Sequence, residues 1–214
     1  MRIVHAVWHS SLIDELKTAT ESIVDTFTKK EDEIDNRLMQ KGILQAYYQE
    51  KKTYAKELTD KHTQNMPFLE ATCQYCLAHQ MNNPIRVLTS GVEIRTAKPF
   101  YASGKWRFVQ RDVWWNNYDE NKPVVIGHYW RSLNDINFYA HDENVFVDIH
   151  PLQWHGKKNN VFCVDFSVGA RFLDRNKDSQ NTIKTTHLVA LQWPEKQLML
   201  EDGTVLKTEK YCSN

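Results

Sequence analysis

The chain changes texture twice along its length, and this limits the fold more than any single motif does. Arg2-Ile3-Val4-His5-Ala6-Val7-Trp8 reads as a short buried strand at the start. Apolar residues then recur at helical spacing to about residue 62. From Pro84 onward, Gly, Pro and Asn punctuate short runs rich in Val, Ile, Phe and Trp, which is strand chemistry. A strand, then helices, then a strand-rich half predicts an α/β fold with an inserted helical section at about 31–83, all within one domain over 1–214.

Finer detail follows from the same pattern. Ser10-Ser11 offers an N-cap for a helix whose apolar face is Leu12, Leu16, Ala19, Ile23 and Phe27. A longer helix is expected over 31–62, with Ile34, Leu38, Leu44, Tyr47, Tyr48 and Leu58 in its stripe and charges on the solvated side. Pro67 breaks the pattern, and Leu69, Cys73, Cys76 and Leu77 predict a further short helix. Strands are expected near 106–109, Val124–Ile126, 161–166, 186–192, Gln197–Leu200 and 205–208. Glu195-Lys196 and Asp202-Gly203 supply the turns between the last three.

Lys+Arg and Asp+Glu both number 27, so net charge is zero, and no basic stripe marks a general nucleic-acid binder. No run approaches the roughly 20 apolar residues that span a bilayer, and the opening residues lack the apolar h-region and small-residue cleavage site of a secretory signal. Four irregularly spaced cysteines, Cys73, Cys76, Cys163 and Cys212, read as reduced thiols. The cytoplasm is the expected location. Cys73-Gln74-Tyr75-Cys76 has the spacing of half a zinc site but no second half, and its place on one helix face favours core packing.

Two segments carry chemistry. Val4-His5-Ala6 ends the opening strand in a histidine, and Val124-Val125-Ile126-Gly127-His128-Tyr129 is an apolar strand ending in Gly-His. Side chains at strand ends are how an α/β sheet builds a site at one edge, and neutral imidazole suits zinc, iron and manganese. Gly127 would let the backbone turn sharply there. A strand-end histidine is also a common structural residue, so each segment alone admits both readings.

Their order along the chain adds to this. Val4-His5-Ala6-Val7-Trp8, Leu88-Thr89-Ser90-Gly91-Val92-Glu93, Arg111-Asp112-Val113-Trp114-Trp115, Gly127-His128-Tyr129-Trp130-Arg131 and Val161-Phe162-Cys163-Val164-Asp165-Phe166-Ser167-Val168-Gly169 occur in sequence. Leu188-Val189-Ala190-Leu191 with Pro194-Glu195-Lys196 follows. The series resembles the C-terminal part of calcineurin-like metallophosphoesterases, the bacterial relatives of Ser/Thr protein phosphatases and diadenosine tetraphosphatases. The resemblance runs from Arg2 to about Gly203 and is weakest over 31–83.

It implies a two-sheet α/β sandwich with a dinuclear centre of Mn, Fe or Zn at the strand ends, hydrolysing phosphate esters or dinucleotide polyphosphates. His5 and His128 match the family's two late ligands of the second metal. Arg131 is a candidate phosphate contact, with a surface ion pair as the alternative. Asp165 would either orient His128 or bond a backbone turn. Arg111 would face substrate beside Trp114-Trp115, a pair that also suits simple packing. The family's early motifs, Asp-x-His, Gly-Asp-x-x-Asp-Arg and Gly-Asn-His-Glu, have no counterpart in order. Asp60-Lys61-His62 spells the first but falls after His5, on the expected long helix. The expectation is therefore a fragment, from a truncated or split reading frame, that is inactive without its N-terminal half. Two other readings are a binding or regulatory module that kept the fold and lost the metals, and a small zinc protein built on the cysteines.

Overall fold

A computed structural model describes residues 1–133, 144–174 and 186–211. The elements run β1 (Arg2–Val4), α1 (Ser10–Thr18), α2 (Ile23–Gln40), α3 (Ile43–Thr53), α4 (Glu70–Met81), α5 (Pro84–Ser90), β2 (Glu93–Ala102), β3 (Lys105–Arg111), β4 (Val124–Ile126), β5 (Val161–Cys163), α6 (Ala170–Asp174), β6 (Val189–Gln192), β7 (Gln197–Leu200) and β8 (Val205–Lys207). The fold is mixed α/β. It divides into two compact units, one formed by 1–6 with 113–214 and the other by 7–112. The chain thus leaves the first unit straight after β1, and the section it inserts carries a β-hairpin as well as helices.

In the first unit β1, β4 and β5 form a three-stranded parallel sheet in the order β1-β4-β5. Val124, Val125 and Ile126 of the central strand are all buried, as expected for a strand covered on both faces. The second sheet, β6-β7-β8, is antiparallel. Along β7 burial alternates, with Leu198 and Leu200 turned inward, the period-2 signature of a half-buried strand. Those two leucines share one core with Val125 and Phe162 of the parallel sheet and with Trp154 and Phe166. Trp154 is completely buried, and its indole N–H donates to Thr208 Oγ1 at 2.9 Å. Enclosing a ring of that size contributes on the order of 4–5 kcal/mol, and the hydrogen bond removes the cost of hiding the N–H.

The second unit is held by helix packing around a polar knot. Ser22 caps α2 by accepting from Asp25 N at 3.1 Å, and Asn83 caps α5 by accepting from Ile85 N, with Pro84 at the first helical position. Glu50 on α3 reaches across to the start of α4, where its two oxygens accept from Ala71 N and from Thr72 N and Oγ1. Met66, Leu69 and Cys73 pack against Phe108 and Val109 of β3.

The expected 31–62 helix is two helices. Gly42, at φ 71°, breaks it between α2 and α3, a backbone geometry that glycine adopts at little cost. The expected face from Leu12 to Phe27 is likewise divided, because α1 ends at Thr18 and Ser22 starts α2. Ser10 is the first helical residue and not a cap. The strand β2 had no counterpart in the sequence reading, while the expected 161–166 and 186–192 strands are shorter, at Val161–Cys163 and Val189–Gln192. Cys73 is fully buried in the core, with burial pushing its thiol pKa up. Cys212 lies outside the described residues. No helix among the described residues is long and apolar enough to cross a membrane.

Candidate functional site

Parallel pairing carries His5 and His128 to the same sheet edge. Arg2, Ile3 and Val4 lie opposite Val124, Val125 and Ile126, so both strands release their next residues at their carboxyl ends. Gly127 N then donates to His5 O at 2.9 Å, extending the pairing one step beyond the strands. The two imidazoles end 5.3 Å apart, centroid to centroid, inclined at 65°. His5 is exposed and His128 half-buried, so solvent and a ligand can reach the pair.

The sharp turn expected at Gly127 falls instead on His128. Its φ is 64°, and Tyr129 N donates to Gly127 O across it at 2.7 Å. Together these form a γ-turn of the rarer, positive-φ kind. A β-carbon placed on Gly127 would meet His5 O at 3.7 Å, ordinary contact, so the left-handed strain is carried by the histidine. Non-glycine residues in that region are uncommon, and strain of this sort concentrates at functional positions.

The third strand end contributes Asp165. Its backbone carbonyl accepts from Arg131 N at 3.1 Å, and its carboxylate Oδ1 accepts from Ser167 N at 3.1 Å. Ser167 Oγ in turn donates to Arg131 O at 2.8 Å. The Asp165 carboxylate therefore bonds a backbone turn, the plainer of its two sequence readings, and the 165–167 turn clamps the segment that follows His128.

Arg131 is not on the surface. It is 4% exposed, and its Nη2 donates to His150 O at 3.0 Å. The guanidinium carbon lies 4.4 Å from the centroid of Phe146 and 5.5 Å from that of Phe166. Burial draws its pKa down to about 10, which still leaves it cationic at neutral pH. Neither surface reading of Arg131, phosphate hand or exposed ion pair, matches this enclosure. Arg111 is exposed on β3 of the other unit, opposite Glu93. Trp114 and Trp115 are buried, stacked edge-on at 5.9 Å, and serve as core.

Several of the other described histidines are engaged elsewhere. Asp60-Lys61-His62 is a turn beyond α3 in which His62 N donates to Asp60 Oδ1, and not part of a helix. His79 lies between Glu31 and Asp35, with nitrogen–oxygen distances of 3.0 and 3.1 Å. His155, without an assigned partner in the sequence reading, is 2% exposed and packs edge-on against Trp115 at 4.9 Å. The adjoining Trp154 is the signal of burial the sequence offers. Among the described residues no group of three or more His, Cys, Asp or Glu side chains is arranged to hold a metal ion. Comparison with family models, with curated protein sequences and with solved structures gave no match.

Proposed function

We propose that the first unit is the metal-facing part of a calcineurin-like phosphoric ester hydrolase, with His5 and His128 as two ligands of one metal. The observation that carries the reading is the meeting of these two rings, 123 positions apart in sequence, at 5.3 Å on one sheet edge. The γ-turn that presents His128 beside His5 accords with it, as backbone strain recurs at functional positions.

The donor set fits such a metal in kind and falls short in number. Two accessible neutral imidazoles suit Mn, Fe or Zn, whereas hydrolytic sites use three or more protein ligands. The remaining ligands would come from a second polypeptide segment. An edge strand supports that arrangement: β1 borders its sheet and leaves Ile3 71% exposed, the kind of edge that accepts another strand. A bound divalent metal would neutralise phosphoryl charge and lower the pKa of water. What this chain supplies is orientation, with the 165–167 turn fixing the backbone behind His128. Substrates in this reading are phosphate monoesters or dinucleotide polyphosphates. A second reading, a binding module that kept the fold without the metals, is favoured by the lack of a third ligand among the described residues.

An aryl phosphate assay with Mn²⁺, Fe²⁺ or Zn²⁺ separates them. The pure chain should give no turnover. Adding a polypeptide that carries Asp-x-His, Gly-Asp-x-x-Asp-Arg and Gly-Asn-His-Glu should restore hydrolysis, and His128→Ala should then lower it by orders of magnitude. Brisk turnover by the chain alone, or full restored activity in His128→Ala, would overturn the proposal. No restoration at all favours the binding module.

A further inference from the structure

A non-glycine residue stays in a sparsely populated backbone region only where its surroundings over-determine it, so the positive-φ turn at His128 needs ties. One is the bond from Gly127 N to His5 O at 2.9 Å. A second comes from Cys163, the last residue of β5, which lies opposite Ile126 in the register of the parallel sheet. Its Sγ donates to Tyr129 O at 3.2 Å and lies 3.7 Å from Gly127 O. The thiol thus reaches the carbonyls of both residues that flank His128.

The 163–167 stretch is laced to the 126–131 stretch along its length. Val164 N donates to Ile126 O at 2.8 Å, Arg131 N to Asp165 O at 3.1 Å and Ser167 Oγ to Arg131 O at 2.8 Å. Between these bonds, across the turn that carries His128, the contact is made by the Cys163 side chain. Cysteine suits the place because it packs like a small apolar residue and still donates weakly. Val161 and Phe162, which precede it in β5, are equally buried and offer no side-chain donor. Burial pushes the Cys163 thiol pKa up to about 12, so the sulfur keeps its proton at neutral pH. Cys163 and Tyr129 are both completely buried. Removing the thiol therefore takes a donor from a carbonyl that solvent does not reach, the costly way to lose a hydrogen bond.

We propose that Cys163 is a positioning residue for His128: its buried thiol props the γ-turn that brings the His128 ring beside His5. As a role toward a metal ligand this rests on the reading of the two histidines given above, whereas the propping itself belongs to the metal-free chain. The action runs through the backbone. Without the thiol, residue 128 relaxes toward negative φ, where non-glycine residues are at ease, and the imidazole leaves its place next to His5. A serine at 163 keeps a donor on the same β-carbon and an alanine does not, which separates propping from packing.

The test uses the full chain, first without metal. Nuclear Overhauser contacts between the His5 and His128 rings, whose centroids are 5.3 Å apart, should be present in the wild type, lost in Cys163→Ala and kept in Cys163→Ser. A cysteine that only fills space would leave the ring contact intact in Cys163→Ala, and that result overturns the proposal, as does loss of the contact in both variants alike. If Cys163→Ala does not fold, the Raman S–H band that Cys163→Ser removes decides. It should lie at lower frequency than the band of a thiol in apolar solvent, and an unshifted band overturns the proposal. In a second arm, with Mn²⁺ and a polypeptide carrying the early motifs, Cys163→Ala should need about tenfold more Mn²⁺ than Cys163→Ser to broaden the His128 ring signals, the usual effect of removing support behind a metal ligand. A wild type whose ring contact depends on Cys163 but which shows no Mn²⁺ broadening would uphold the positioning and count against the metal reading instead.

Discussion

Replacing Glu31 by Gln should destabilise the helical unit by about 1–2 kcal/mol at neutral pH. Glu31 on α2 accepts from Arg86 Nε and Nη2 and from Asn83 Nδ2, and it lies 3.0 Å from His79 Nδ1. One carboxylate therefore ties α2 to both α4 and α5. Burial pushes its pKa up, but hydrogen bonds from Arg86, Asn83 and His79 outweigh that and hold it down to about 2. A displacement from 4.5 to about 2 is worth at most about 3 kcal/mol, at roughly 1.4 kcal/mol per unit. Arg86 is 38% exposed and Glu31 18% exposed, so solvent screening removes about half of that ceiling. The sign follows from the depressed pKa. The stabilisation is full above about pH 4.5 and is lost as pH falls toward 2. Helices α1 to α5 all belong to this unit, so urea unfolding followed by helical circular dichroism reports on it. The wild type and Glu31→Gln should differ by 1–2 kcal/mol at pH 7 and converge near pH 2. A gap below about 0.5 kcal/mol at pH 7, or one that persists unchanged in acid, would refute the reasoning.

Two further outcomes test the first unit. Gly156→Ala should cost roughly 2–4 kcal/mol in thermal unfolding, because it adds a left-handed backbone penalty to a backbone clash with Trp115 O; a loss under about 1 kcal/mol would show that the Trp115–His155 contact is loose. His155 is held neutral, with burial first and then Arg131 drawing its pKa down to about 3, so its ring signals should stay flat between pH 8 and 5. The unfolded chain takes up this proton near pH 6.5 while the folded chain does not. Stability should thus fall with acidification through that window by up to about 1.4 kcal/mol per pH unit, and His155→Gln should remove that slope.

The meeting of His5 and His128 at one sheet edge was more legible in the sequence than the architecture around it. Val124–Ile126 is an uninterrupted apolar strand ending in Gly-His, and pairing it in parallel with the opening strand brings two strand-end histidines to one edge. The packing role of Cys73 was equally legible, since Leu69, Cys73 and Leu77 share a helix face. Less visible were features that depend on contacts distant in sequence. Arg131 looks like a surface arginine until Phe146 and Phe166 close over it, and Asp165 takes its role from Ser167 and the strand end. The break at Gly42 is a backbone event within a stripe that stays apolar on both sides. Strand β2, with Arg95, Lys98 and Pro99 in its sequence, lacks the alternation that marks a half-buried strand.

Substoichiometric Mn²⁺ added to the folded chain together with a polypeptide that carries the Asp-x-His, Gly-Asp-x-x-Asp-Arg and Gly-Asn-His-Glu motifs, with histidine ring signals of this chain followed by NMR, addresses the proposed metal role most directly. Ring resonances of His5 and His128 should broaden first and together, and either His5→Ala or His128→Ala should abolish the effect at the remaining partner. Broadening centred on His79, or none at either strand-end imidazole, would contradict the account.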